Sequence, residues 1–213
     1  MINIKTREGD EKMIVTKKVK RYVTLSLILT LFLSFFNCVK VNAYYSSGGA
    51  VNYADTWALS RNPDYPNFSK DCTNFVSQAL HEGGLIPFDK QRGWYCEKVL
   101  WWWNWGQAWS VADSLRYWLL SANNAMYIGR WDYSSQSDFN FSLKPGDVLF
   151  YDWDSDGTYD HSAIVVVYAR DPDSGINGVL QDQHTTDRKW AIWHLKPYNL
   201  NPLSTIIIAV RPQ

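Results

Sequence analysis

The chain has 213 residues, with 21 Lys+Arg against 21 Asp+Glu. Residues 1–43 hold eight of the basic and three of the acidic side chains, so residues 44–213 keep 13 against 18, a net charge near −5. This is the scale of one domain with a real core, and the negative balance excludes a surface built for nucleic acid.

The first segment reads as an export signal. Lys17, Lys18, Lys20 and Arg21 precede an apolar run from Tyr22 to Phe36, and Val41-Asn42-Ala43 suits a signal peptidase cutting after Ala43. The run is shorter than the roughly 20 residues of a membrane span, so no stable span is expected after cleavage; an uncleaved anchor is the alternative. Cys38 follows Phe35-Phe36-Asn37, which is unlike a lipoprotein's small-residue box, and Met13 is an alternative start. The expected product is a secreted domain over residues 44–213, acting as a monomer.

In AVNYADTWAL (50–59), Val51, Ala54, Trp57 and Ala58 recur at helical spacing before Asn62-Pro63 ends the pattern. The next helix is predicted in DCTNFVSQALHEGG (71–84). Asp71 is its N-cap, Phe75, Val76 and Ala79 form an apolar face, and Gly83-Gly84 stop it. Cys72 then sits in the first turn, where the backbone dipole and unpaired N–H groups favour the thiolate. Such a cysteine is also often a buried small hydrophobe or half of a disulfide, and Cys96 is the available partner.

The segment Trp94–Trp109 is aromatic with little periodicity; its Trp94, Trp101, Trp102, Trp103 and Trp105 are candidates for a wall that stacks on sugars or peptides. Core packing is the other fate open to them. A third helix is expected from Ser110, read as its N-cap, to about Ser121, with Val111, Leu115, Trp118 and Leu119 on one stripe. Five strands follow, at 147–153, 161–169, 178–185, 189–195 and 204–211. Helices first and antiparallel strands afterwards predict an α+β domain, its N-terminal helices packed on a C-terminal antiparallel sheet or small open barrel.

Three strings carry a resemblance: AVNYADTWALSRNPDYPNFSKDCTNFVSQALHEGG, LKPGDVLFYDWDSDGTYDHSAIVV and QHT. Together they resemble the Putative amidase domain of exported bacterial proteins, a relative of NlpC-type and CHAP cell-wall cysteine peptidases. The resemblance covers nearly all of residues 45–211. It implies a papain-like arrangement with Cys72 as nucleophile and His161 as general base. His161 opens an apolar strand, from which it can reach a helix N-terminus; a strand-end histidine satisfied by a carbonyl or a metal is the alternative. A third group should orient the base. NlpC-type relatives use histidine, asparagine or aspartate, so His184 is the first choice, with Asp182 as the same-face alternative. The Cys72 N–H is the expected oxyanion donor, beside a second group that the sequence does not identify.

Asp152, Asp154, Asp156, Gly157 and Asp160 resemble the start of a calcium loop, so Asp152, Asp154, Asp156 and Asp160 are candidate ligands of a structural Ca²⁺. An Asp-rich turn explains them equally. No cofactor is required for the chemistry. The expected function is amide hydrolysis in cell-wall peptide or at the sugar–peptide link of peptidoglycan. A glycan-binding module without catalysis and a secreted transferase or deamidase are the rivals.

Overall fold

Ser46 starts the first helix by accepting the Gly49 N–H on its Oγ, at 3.2 Å, and α1 runs Ser47–Trp57. The structure is a computed structural model that describes residues 44–213. The predicted export signal, its cleavage point at Ala43 and Cys38 lie outside the described residues. No described helix is long and apolar enough to cross a membrane.

Ala50, Ala54 and Ala58 are the buried side of α1. Their small side chains let it press onto the second helix, α2 (Cys72–Gln78), which continues as a wider π turn, Ala79–Gly83. At the closest approach a Cβ on Gly49 would lie 2.0 Å from the Gly83 carbonyl oxygen. Gly84 ends the turn at φ −78°, so these glycines serve close backbone approach and not a left-handed cap. All seven residues of α2 are buried, in place of the one-sided apolar face expected. α1 covers one side of it, the tryptophan segment another and the sheet a third.

The tryptophan segment contains a two-stranded hairpin that the sequence did not predict, β1 (Cys96–Val99) with β2 (Trp102–Trp105). Its residues are mostly exposed, so no core-facing period marks it. A one-turn helix, α3 (Gln107–Ser110), follows, and then α4 (Ala112–Ser121). Ser110 ends α3 and does not cap α4; Val111 holds the cap position, without a side-chain bond. Ala112, Leu115, Trp118 and Leu119 form the buried stripe of α4.

Six antiparallel strands form the main sheet: β3 (Ala125–Trp131), β4 (Val148–Asp152), β5 (His161–Arg170), β6 (Asn177–Gln183), β7 (Arg188–Ile192) and β8 (Ile206–Pro212). Their order is β3-β8-β4-β5-β6-β7. The fold is therefore α+β, as expected, with one further strand. β3 escapes sequence reading because it is a half-exposed edge strand interrupted by Ala125 and Gly129, which are poor strand formers. Val148, Phe150, Ile164, Val166, Ile208 and Val210 face the helices. Leu149, Tyr151, Ala163, Val165, Ile207 and Ala209 face a second core that includes Trp193 and Leu195. Coverage of both faces explains why the central strands read as continuous apolar runs.

Asp182 of β6 is buried where α1 approaches β6 and β7. Its Oδ1 accepts the Trp190 N–H at 2.8 Å, and its Oδ2 has no partner among the described residues. Burial, with Asp55 nearby, pushes its pKa from 3.8 up to about 7. The folded state thus holds a proton that the unfolded chain releases, so stability falls as pH rises from about 4 to about 7.

Two predictions concern this framework. Gly49→Ala should destabilise the domain by about 1–3 kcal/mol, because the methyl meets backbone; a Tm unchanged from wild type would contradict the tight crossing. Asp182→Asn, neutral at every pH, should remove a fall in stability of order 2 kcal/mol between pH 5 and pH 8. Urea melts at both pH values check it, and an undiminished slope in the variant would refute the assignment.

Candidate active site

Cys72 and His161 come together because α2 begins against the end of the sheet where β5 begins. Ser162 Oγ donates to Thr73 Oγ1 at 3.1 Å and fastens the two elements next to the sulfur. The sulfur is buried, with a 3.7 Å contact to the Thr73 hydroxyl. Burial alone would raise the thiol pKa. Burial is the largest single influence, but the His161 charge together with hydrogen bonding from His161, the Ser162 backbone and Thr73 outweighs it, and the pKa falls from 9.0 to about 6. At neutral pH the sulfur is mostly thiolate. Cys96 is also a buried free thiol, and burial pushes its pKa up to about 12. The disulfide alternative for Cys72 is therefore not the arrangement found.

The group beside the His161 ring is Gln183. Gln183 Oε1 lies 3.1 Å from His161 Nε2, and Gln183 Nε2 donates to the Thr186 carbonyl at 2.9 Å. The second bond fixes the amide orientation, so its oxygen faces the ring and His161 Nε2 must carry the hydrogen. Nδ1 remains for the sulfur. Gln183 was not among the predicted site residues, although it belongs to the QHT string. The signal is strand parity: β5 and β6 pair Ile164 with Asp182 and Val165 with Gln181. In that register Gln183 shares a sheet face with His161, whereas His184 and Asp182 lie on the other.

His184 accordingly does not touch His161. Its Nδ1 is 2.6 Å from Asp71 Oδ2, its Nε2 is 2.8 Å from the Trp57 carbonyl, and its ring stacks on Phe75 at 4.0 Å. Asp71 holds the cap position of α2 without capping it through its side chain. Its carboxylate instead accepts from the Phe68 N–H at 3.1 Å and Asn74 Nδ2 at 2.8 Å, and pairs with Arg61 Nε at 2.9 Å. Asp182 is likewise taken up by Trp190, away from His161.

The predicted tryptophan wall divides. Trp94 is fully buried and stacks on Trp118 at 4.3 Å, while Trp101 and Trp102 are 73% and 70% exposed on the hairpin. Trp103 stacks on Tyr65 at 6.1 Å and Trp105 packs on Phe68 at 4.8 Å, so the hairpin leans on the loop leading into Cys72. On the other side of His161 lies a cleft of about 420 Å³, lined by Trp153, His161, Gln183, Thr185, Arg188 and Tyr198 among others.

In the aspartate loop, carboxylate oxygens of Asp152, Asp154 and Asp156 lie within 4.8 Å of one another. Asp160 is outside that group; its Oδ2 accepts the Trp153 N–H at 3.1 Å. Asp152 also accepts the N–H groups of Asp156 and Gly157, at 3.2 and 3.0 Å, which shapes the turn. Oxygen donors of this kind suit a hard cation such as Ca²⁺.

The chain is 36% identical over 153 residues to uncharacterized protein YhbB of Bacillus subtilis (strain 168), across 70% of this chain and 44% of that protein. It is 36% identical over 129 residues to uncharacterized protein YjcM of the same organism, across 57% of this chain and 27% of that protein. The matched segments thus span less than half the length of these relatives. No solved structure matches it. The family described as "Putative amidase domain" matches residues 44–206, which include Cys72, His161 and Gln183, and the chain belongs to that family.

Proposed function

We propose that this protein is a cysteine amidase of papain-like arrangement, with Cys72 as nucleophile, His161 as general base and Gln183 as the group that orients the base. The observation that carries the reading is a buried thiol whose pKa lies near 6 because a histidine stands beside it. The Cys72 thiolate attacks the amide carbon, and the carbonyl π electrons move to oxygen. Collapse of that intermediate expels the amine, which takes its proton from the His161 imidazolium. Water, deprotonated by His161, then adds to the thioester carbon, and cleavage of the C–S bond releases the acid and restores the thiolate–imidazolium pair. Gln183 holds the Nε2–H tautomer throughout.

The substrate we favour is cell-wall material: peptidoglycan stem peptide, or its link to sugar, reached outside the cell after export. Exposed Trp101 and Trp102 offer faces for stacking on sugar or peptide, and the hairpin leans on the segment before Cys72. The paired thiolate and imidazole favour catalysis over a purely binding role.

We further propose that the carboxylates of Asp152, Asp154 and Asp156, which run from the end of β4 into the turn before His161, hold a structural Ca²⁺. Any such ion stabilises the native state and takes no part in the bond cleavage.

Alkylation of Cys72 by iodoacetamide should rise through a midpoint near pH 6. His161→Ala should move that midpoint up, because burial is then opposed only by the hydrogen bonds of the Ser162 backbone and Thr73. Release of amino groups from purified peptidoglycan should vanish in Cys72→Ala and in His161→Ala, and fall about 10–100-fold in Gln183→Ala. His184→Ala should lower stability by about 3 kcal/mol, through the carboxylate of Asp71 that it leaves under-paired, while the alkylation midpoint stays near 6. Amino-group release by Cys72→Ala at the wild-type rate would refute the assignment. For the ion, a hundredfold excess of Ca²⁺ over its Kd should raise Tm by about 5 °C relative to chelator; identical melts would exclude it.

A further inference from the structure

The N–H of Cys72 is already engaged. It donates to Thr185 Oγ1 at 3.1 Å, and the Asp71 N–H donates to the same oxygen at 3.0 Å. A hydroxyl offers two lone pairs and one hydrogen. Two N–H donors occupy both lone pairs, so the Thr185 hydrogen must point elsewhere, and it has no acceptor among the described residues. The side chain lines the cleft that also contains His161 and Gln183.

Thr185 is held there at a cost. Its φ is +79°, a backbone region that β-branched residues rarely enter. The turn between β6 and β7 is secured on both sides of it. His184 bonds Asp71, and Asp187 receives both terminal nitrogens of Arg61 at 2.9 Å. These bonds fix the turn against the residues flanking the nucleophile, so the hydroxyl stands one hydrogen bond from the Cys72 backbone.

We propose that Thr185 is the oxyanion donor of this site. The inference rests on Cys72 as nucleophile. As the thiolate adds to the carbonyl carbon, the π electrons pass to oxygen and the Thr185 O–H donates a hydrogen bond to that oxygen; no proton is transferred. The Asp71 and Cys72 N–H groups polarise the hydroxyl from behind and strengthen it as a donor. The bond is made in full only when the oxygen carries charge, so it acts on the transition state more than on the bound substrate.

The test compares two reactions of the same sulfur. Acylation by p-nitrophenyl acetate passes through an oxyanion; alkylation by iodoacetamide does not. Thr185→Val, which exchanges the hydroxyl for a methyl of similar size, should slow the acylation burst about 100-fold or more. Its alkylation rate and pH midpoint should stay those of wild type, and Thr185→Ser should acylate within about threefold of wild type. Acylation of Thr185→Val at the wild-type rate overturns the proposal, as does a parallel loss of both reactions or a Thr185→Ser enzyme as slow as Thr185→Val. A burst that is absent from wild type or survives in Cys72→Ala refutes the nucleophile itself, which separates that failure from failure of Thr185.

Discussion

The structure is organised around a helix that is buried on every side yet polar in sequence. α2 brings Thr73, Asn74, Ser77 and Gln78 into the interior along with Cys72, and Asp71 lies buried just before it. Each unpaired polar group would cost about 1–3 kcal/mol, so the surroundings must supply partners. They do so one at a time: Ser162 for Thr73, the Pro66 carbonyl and Trp109 Nε1 for Asn74, Trp94 Nε1 and the Trp109 carbonyl for Ser77, and Tyr53 for Gln78. The same bonds explain why Trp94 and Trp109 are core residues. Their indole N–H groups anchor to the helix while their rings fill the space between it and α4.

Alternation along one strand then separates two tasks that the sequence sets side by side. Gln183 points to the face of His161 and fixes its tautomer. His184, the next residue, points to the opposite face and closes on Asp71, Phe75 and the end of α1. One strand end thereby orients a histidine and ties the sheet to the start of α2. A shift of register by one residue would exchange both sets of partners, so the pairing of β5 with β6 matters as much as the identity of the side chains.

This alternation also marks the limit of what was legible. The three longer helices and the strands β4 to β8 follow from periodicity and turn residues, whereas the pairing of Cys72 with His161 was an implication of the family resemblance. The identity of the orienting group depended on a register that no local pattern fixes, and a glutamine beside a histidine in QHT drew attention to the wrong neighbour. β3 and the tryptophan hairpin were hidden for a different reason: exposed or edge strands bury too little to impose a period. Asp71 looked like a helix cap because caps and buried carboxylates share one residue type. Only the convergence of Arg61, Asn74, Phe68 and His184 on it distinguishes the two.

The two free cysteines separate burial from reactivity. Cys72 and Cys96 are both buried and both pay for desolvation, yet one titrates near 6 and the other near 12. Cys96 opens an exposed hairpin with Glu97 as its charged neighbour, which opposes ionisation further. Cys72 has His161, the Ser162 backbone and the Thr73 hydroxyl instead. Burial without a cation makes a thiol inert; burial beside an imidazole concentrates the interaction, because little water remains to screen it. The tight enclosure of α2, which first appears as a problem of satisfying polar groups, is thus also what allows one histidine to hold the sulfur as a thiolate.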